Sequence, residues 1–553
     1  MATMQIDAPI AERHARATRP TPAAGRAWYE NRTTVRAVTW LAFLFYATVG
    51  LWMLYGVHFA IGDEIARSAA ARYVVASRDP HLAAIGFVWL PLPSFVQIPF
   101  VWILGPFGLG VAAGPLSTAV AAALTIPVLI KVMRALDVHP ALATAILAIY
   151  ALNPVTVFYA GIGMSEALFF LFLALAVLGY VSWLRDRRPT QLGTLAFALA
   201  GAMLVRYETI ALIVLFGIAV ALQARKGRRL LTASMTMIPG LYALFLWMSV
   251  SWLLVGNAFF FASGFSGGKP PLDAPWLPHG RSIANGVKYA LDRSARIGGA
   301  FLVIGLIIVA LALFSLLRAR SLSTVQGLVI VAAGAVFPGQ VAFLMSRNGT
   351  WGNARYFTPL LILSATGAAW LLRGSRNRHE RRWRPLAVGI AVVAVLLAGV
   401  LGATVSFADP KVSAVESESY VFGRLPGLNV SRTAGAFPLG PWKTIARLLD
   451  GRLRGNDLVI ADTNVAFPAV LLSRHPNLFM IVSDRDYERL VAARLKPITY
   501  AIIAEGQASL GHDQEAVRAV LAFAPEGSQW VKIGHYSVAD VYHLESALPP
   551  KGP

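Results

Sequence analysis

Long apolar runs separated by short polar connections dominate the first 406 residues. The first, VTWLAFLFYATVGLWMLYGVHFA, extends from Val38 to Ala60 and is long enough to span a bilayer. Further apolar runs lie near 112–130, 140–158, 164–184, 191–205, 207–223, 231–255, 298–317, 322–345, 356–372 and 385–405. Basic residues gather in every second connection: Lys131/Arg134, Arg185/Arg187/Arg188, Arg225/Lys226/Arg228/Arg229, Arg318/Arg320, and Arg373 through Arg384. With the N-terminus inside, all of these clusters fall on the cytoplasmic side, a pattern that predicts about eleven transmembrane helices. It also requires that Ser94–Gly110 does not cross. Pro91, Pro93, Pro99 and Pro106 surround and interrupt that segment, so a broken helix at the outer interface is expected. If it crossed, the sidedness of everything downstream would invert.

Beyond residue 406 the pattern changes. Short β-type runs occur at DLVIAD (Asp457–Asp462), LFMIVSD (Leu478–Asp484) and ITYAIIAE (Ile498–Glu505). Helical stretches separate them, and the terminal WVKIGHYSVADVYHLE reads as two strands. Alternation of strand and helix predicts a small α/β domain, which the loop count puts outside the cell. DTN at 462–464 has neither a Gly-rich run nor a following Lys, so it is no phosphate loop. The domain reads as a scaffold or a docking site for an acceptor, and His512 and His535 read as structural. The chain thus divides into a basic, flexible cytoplasmic tail (1–36), a membrane domain (37–406) with long outer loops at 61–111 and 256–297, and the extracytoplasmic domain (407–553). The tail lacks the order of a cleavable signal, so the first span is expected to act as an uncleaved anchor.

Composition agrees with the membrane reading: 56% hydrophobic residues, 14% charged, and a mean hydropathy of +0.60. There is no cysteine, so neither disulfides nor thiolate chemistry contribute. The net charge of +21 suggests nucleic acid until its distribution is considered. Residues 407–553 hold 15 Lys+Arg and 15 Asp+Glu, so the whole excess lies in the membrane portion and its loops. That is the signature of membrane orientation, and no nucleic-acid partner is expected.

The candidate chemistry lies at the outer face. Asp63 and Glu64 follow the first span directly, where a lipid-linked substrate meets polar groups; the plain alternative is a solvated helix boundary. The same face should hold Arg67, Arg72, Tyr73, Arg78 and Trp89 in the first loop, and Glu166 at the start of the 164–184 span. It should also hold the Arg206-Tyr207-Glu208 turn and the segment RNGTWGNARYFTP with Arg355 and Tyr356. These residues are spread along the chain yet are expected at one depth. A transporter would also carry charges among apolar spans, but it should show internal repeats or paired broken helices near mid-membrane, and the charges here cluster at span ends.

The order of several motifs resembles the GT-C superfamily of membrane glycosyltransferases. The branch it is most similar to uses polyprenyl- or dolichyl-phosphate sugars and includes protein O-mannosyltransferases and the lipid A aminoarabinose transferase. The resemblance covers about 38–405. It rests on Gly62-Asp63-Glu64 after the first span and on the proline-rich WLPLPSFVQIPFVWILGPFG. It rests also on NPVTVFYAGIGMSEALFF with Asn153-Pro154 and Glu166, and on Arg355-Tyr356-Phe357-x-Pro359 before a late span. It implies a GT-C-like, multi-pass protein of the plasma (inner) membrane that transfers a sugar from a polyprenyl-phosphate-linked donor, with inversion, to a hydroxyl of a glycan, lipid or protein acceptor. A polymerase or ligase using a lipid-diphosphate-linked glycan is the nearest alternative, and a transporter the next.

Such a reaction needs a carboxylate to accept the acceptor's proton, cations to steady the departing phosphate, and an apolar groove for the polyprenyl chain. Asp63 is the candidate base, with Glu64 beside it. Arg355 is the leading phosphate clamp, because its planar fork binds two phosphate oxygens and no acid is near it in sequence. Arg206 is the second choice, its alternative being a local ion pair with Glu208. Glu166 has three open roles: orienting the acceptor, bracing an arginine, or sharing a divalent cation (Mg²⁺ or Mn²⁺) with Asp63. Glu stands at 166 where many relatives carry Asp, so metal use stays open. Arg72, Tyr73, Trp89 and Tyr356 are expected to line the donor and sugar site, the aromatic residues having an interface-belt role as the alternative.

Overall fold

The protein is described by a computed structural model covering residues 28–260, 282–317, 325–347, 354–375, 383–413, 415–419, 437–463, 465–492, 498–504 and 512–546. Most of the expected tail, the Gly/Pro-rich part of the 256–297 loop and the Arg318/Arg320 cluster lie outside the described residues, as does the centre of the Arg373–Arg384 cluster.

The apolar runs fold as helices. In chain order these are α1 (Arg32–Leu51, extended by a wider turn Trp52–Gly56), α2 (Gly62–Ala76), α3 (Ile98–Leu104), α4 (Ala113–Ala135), α5 (Pro140–Ala151), α6 (Pro154–Gly161), α7 (Glu166–Asp186), α8 (Pro189–Met203), α9 (Thr209–Gln223), α10 (Arg229–Val255), α11 (Ile283–Ile297), α12 (Gly299–Leu317), α13 (Val325–Arg347), α14 (Pro359–Leu371) and α15 (Trp383–Ala408). Helices α4 and α7 pack on each other at the centre and are mostly buried, with α1 against α4 and α8 against α7. Helices α10 and α15 turn most of their side chains outward, as lipid-facing helices do.

The expected count of about eleven full crossings is not met. Among the described residues six helices are long and apolar enough to cross a membrane, or up to eight if each bent pair forms one span. The bent pairs are α5 with α6, at 57°, and α11 with α12, at 100°. The first bend follows from Asn153-Pro154: Asn153 Oδ1 accepts from the Val155 N–H at 2.9 Å, starting a new helix where proline cannot continue the old one. The 191–205, 207–223 and 356–372 runs form α8, α9 and α14, of 15, 15 and 13 residues. At 1.5 Å rise per residue these are roughly 20 Å long, short of a ~30 Å hydrocarbon core. Helix α14 is almost wholly buried among its neighbours, so its apolar character reflects protein packing rather than lipid contact. The Ser94–Gly110 segment is broken, as its prolines demand, into the single turn Leu92–Phe95, α3, and a 3₁₀ turn at Gly105–Phe107.

The C-terminal α/β domain is present. It contains α16 (Leu439–Asp450), β1 (Leu458–Ala461), α17 (Phe467–Leu472), β2 (Phe479–Met480), α18 (Tyr487–Ala492), β3 (Ile498–Ala504), α19 (His512–Leu521), β4 (Ser528–His535) and β5 (Ala539–Ser546). The sheet order is β2-β1-β3-β5-β4. Strand β1 runs parallel to β2 and β3, and β5 runs antiparallel to β3 and β4. All four β1 residues are buried, as expected of a central strand covered on both faces.

Helix α2 belongs to both halves. Its Ile65, Ala69 and Tyr73 join one apolar cluster with Trp442, Val459, Leu471 and Ile502 of the C-terminal domain. Its N-terminal turn lies against the membrane helices. Gly163, between α6 and α7, has φ of +69°, and a Cβ there would stand 2.6 Å from Glu64 Cγ and 2.8 Å from Gly114 Cα. Glycine is therefore required by both backbone and space where α2, α4 and the α6–α7 turn meet.

Candidate active site

Asp63 sits in the first turn of α2, half-exposed, and its Oδ2 accepts from Arg355 Nη1 at 2.9 Å. Arg355 lies in a 3₁₀ turn (Ala354–Phe357) just before α14. Its counter-ion is thus an acid 292 residues away, brought to it by the fold where none stands near it in sequence. Tyr356 stands between two guanidinium groups, Arg355 at 5.5 Å and Arg206 at 5.4 Å from its ring centre.

Arg206 closes the other side. It occupies the tight turn between α8 and α9, where it is buried. Its Nη1 donates to Glu166 Oε1 at 2.9 Å, while Nε and Nη2 donate to Glu208 Oε1 at 3.2 and 2.6 Å. The local pair of Arg206 with Glu208 exists, and Glu166 joins it. Of the three roles open for Glu166, bracing an arginine is the one visible. Glu166 begins α7, where an acid also interacts favourably with the helix N-terminus.

Sequence reasoning placed Arg67 in the outer loop but not in the site. It is buried, its Nε and Nη1 have no hydrogen-bond partner among the described residues, and its guanidinium lies 5.5 Å from the Trp89 ring centre. It is within electrostatic range of Asp63, Glu166, Arg206 and Arg355. The signal was available: Arg67 follows Asp63 by four positions, so the two share one helix face. A second unfilled group is Glu166 Oε2, buried without a hydrogen-bond partner among the described residues. The cluster therefore offers spare donors on Arg67 and a spare acceptor on Glu166.

The charges set the protonation states. Burial acts to raise the Asp63 pKa, but Arg355 and Arg67 outweigh it and hold the carboxyl below its ordinary value. Burial acts against the Arg355 charge, yet Tyr356, Asp63 and Glu166 together push its pKa above the ordinary arginine value. Glu64 differs. It is buried, burial raises its pKa well above 4.5, and its one hydrogen bond is Oε2 accepting from the Ile61 N–H at 3.3 Å. It caps the start of α2 and sits against Gly114 and Gly163.

Arg72 and Tyr73, expected near the sugar, point elsewhere. Nine residues at 3.6 per turn place Arg72 opposite Asp63 on α2. Its guanidinium enters the C-terminal domain and donates to the Leu471 and Ser473 carbonyls, and Tyr73 lies in that domain's apolar cluster. Asp63 and Glu166, left open as a metal pair, are each engaged by a different arginine, and among the described residues no group of three His, Asp or Glu side chains is gathered.

The membrane helical bundle, followed by a C-terminal α/β domain, is similar in overall fold to solved membrane-protein structures. Among solved structures with this fold is ArnT from Cupriavidus metallidurans bound to undecaprenyl phosphate. It has a TM-score of 0.54 and 14% identity, over 95% of this chain and 100% of that one. The apo state of the same protein gives a TM-score of 0.52 and 13% identity, over 93% and 99%. No protein-family model and no curated protein sequence matches the chain.

Proposed function

We propose that the protein transfers a sugar from a polyprenyl-phosphate-linked donor to an acceptor hydroxyl at the outer face of the membrane, inverting the anomeric centre. The observation that carries this reading is the cluster Asp63–Arg355–Tyr356–Arg206–Glu166, with Arg67 beside it, whose Nε and Nη1 have no hydrogen-bond partner among the described residues. A buried arginine lacking acceptors is costly, and a phosphate oxygen removes that cost. The same cluster offers Glu166 Oε2 to a hydroxyl donor.

The donor's phosphate joins Arg67 and competes with Asp63 for Arg355. As Arg355 turns toward phosphate, Asp63 loses the cation that holds its pKa down and becomes a better base. The acceptor oxygen then attacks the anomeric carbon as its proton passes to Asp63. The bond from the anomeric carbon to the phosphate oxygen breaks, its electron pair remains on that oxygen, and Arg67 and Arg355 neutralise the growing charge. A phosphate is a good leaving group, so no separate acid is needed. Residues 407–553 lie outside the cell in this reading, which requires an odd number of crossings and hence that α8, α9 and α14, though short, run between the two faces of the bundle, and the protein sits in the plasma (inner) membrane. Fusion reporters after Ala224 and after Pro553 should then report opposite sides.

The test is transfer by purified protein in detergent, offered a panel of polyprenyl-phosphate sugars with an acceptor extract. Release of polyprenyl phosphate with one donor supports the reading. Turnover only with lipid-diphosphate-linked glycans contradicts it in favour of a polymerase or ligase.

A further inference from the structure

We infer that Arg72 is a positioning residue, through which the C-terminal domain holds the helix that carries Asp63 and Arg67. The inference rests on the proposed role of those two residues. Helix α2 bears both ends of the connection. Asp63 and Arg67 lie in its first half, and Arg72 follows Asp63 by about 14 Å along the axis.

Arg72 is buried at the C-terminal end of α17. It donates through Nη1 to the Leu471 carbonyl, and through Nη2 to the Ser473 carbonyl at 2.8 Å and the Gly105 carbonyl at 3.5 Å. The last carbonyls of a helix have no partners within it and carry the negative end of its dipole, so a guanidinium is a matched cap. Asp450 fixes the same turn, accepting from Ser473 Oγ at 2.5 Å and from the Arg474 N–H at 3.0 Å. Gly110 leaves the slot open: a Cβ there would stand 3.2 Å from Leu471 and 3.4 Å from Arg72 Nη1. One side chain thus ties α2, the proline-rich outer segment and the C-terminal domain together.

Other polar ties exist, but they lie at the ends of α2, and the contacts of Ile65, Ala69 and Tyr73 along its body are apolar. The Phe437 N–H donates to the Ala60 carbonyl at 2.9 Å ahead of the helix. Beyond its end, Arg78 pairs with Asp484 and Asp486, and Arg485 with Asp79. The latter pairs are partly exposed and individually weak. Among the described residues Arg72 is the buried polar tie in the middle, beside the apolar contacts of Ile65, Ala69 and Tyr73, and its loss leaves three backbone carbonyls without it. Hydrogen bonds to a buried charge are among the strongest in a protein, so local opening of α2 should become about ten- to a hundredfold more frequent.

The experiment compares full-length wild type, Arg72→Lys and Arg72→Ala in detergent, by amide hydrogen exchange without ligand and by binding of undecaprenyl phosphate. Arg72→Ala should speed exchange across residues 62–68 about tenfold or more and weaken undecaprenyl phosphate binding about tenfold, while α4 and α7 keep their protection. Arg72→Lys should recover part of both effects, since one ammonium cannot reach all three carbonyls. If Arg72→Ala does not fold, the lysine variant carries the same comparison. Unchanged exchange at 62–68 overturns the inference, as does faster exchange there with unchanged lipid affinity. Wild type that binds no undecaprenyl phosphate counts against the donor reading instead, because the exchange comparison is made without ligand.

Discussion

Replacing Arg206 by methionine keeps most of the side-chain volume and removes the charge that two buried acids share. In the folded protein the side chains of Arg206, Glu166 and Glu208 are 7%, 1% and 9% exposed, with N–O distances of 2.9 and 2.6 Å for the two ion pairs. Such a triad contributes little net stability compared with a well-packed apolar substitute, but removing one partner strands the others. Breaking a buried pair costs about 3–5 kcal/mol. Arg206→Met should therefore destabilise by about that amount, and by the upper end of the range because two carboxylates are left. Adding Glu166→Gln and Glu208→Gln should recover most of the loss, since neither buried carboxylate is then left without its arginine. The measurement is SDS-induced unfolding from mixed micelles, followed by near-UV circular dichroism on single and combined variants. A loss of less than about 0.5 kcal/mol for Arg206→Met, or additive losses in the triple variant, would refute the buried-triad reasoning.

Three further outcomes follow from the site. Arg355 holds the Asp63 pKa below its ordinary value, so Arg355→Ala should move the acid limb of kcat/KM for transfer to higher pH, and an unmoved limb argues against Asp63 as the group titrating. Glu64 has a folded pKa raised well above 4.5, so its contribution to stability is fully present below about pH 4.5 and declines as pH rises toward the folded value. Glu64→Gln should therefore gain stability over wild type in thermal unfolding at pH 8 but not at pH 4.5; equal gains at both would show that Glu64 does not titrate on unfolding. Gly163→Ala should cost about 2 kcal/mol or more, because φ is +69° and the added Cβ meets Glu64 and the Gly114 backbone; a neutral effect in the same unfolding assay would mean that the α2–α4 contact is looser than described.

Much of this architecture could be read from hydropathy because lipid and protein interiors both select apolar runs. That common selection also explains the miscount. Helices α8, α9 and α14 are as apolar as crossing helices, but only their length in the folded protein distinguishes them. The C-terminal strands were legible because a buried parallel strand such as Leu458–Ala461 is short, continuous and apolar. The convergence of Asp63, Glu166, Arg206 and Arg355 followed from their shared position at span ends. Their pairing was not legible, since Asp63 and Arg355 meet only after the whole bundle has closed. Arg72 and Tyr73 were misplaced for a simpler reason. Proximity in sequence to Asp63 counted for more than helical phase, and phase puts Arg72 on the opposite face while bringing Arg67 to the same one.

The central claim is tested most directly by the initial rate of polyprenyl phosphate release, with one active donor and its acceptor, by wild type and by Asp63→Asn. Asparagine keeps the size of the side chain but cannot accept the acceptor's proton. The account predicts donor-lipid binding close to wild type and a rate lowered by at least about a hundredfold. An Asp63→Asn protein that releases polyprenyl phosphate and glycosylates the acceptor at a near-native rate would contradict it.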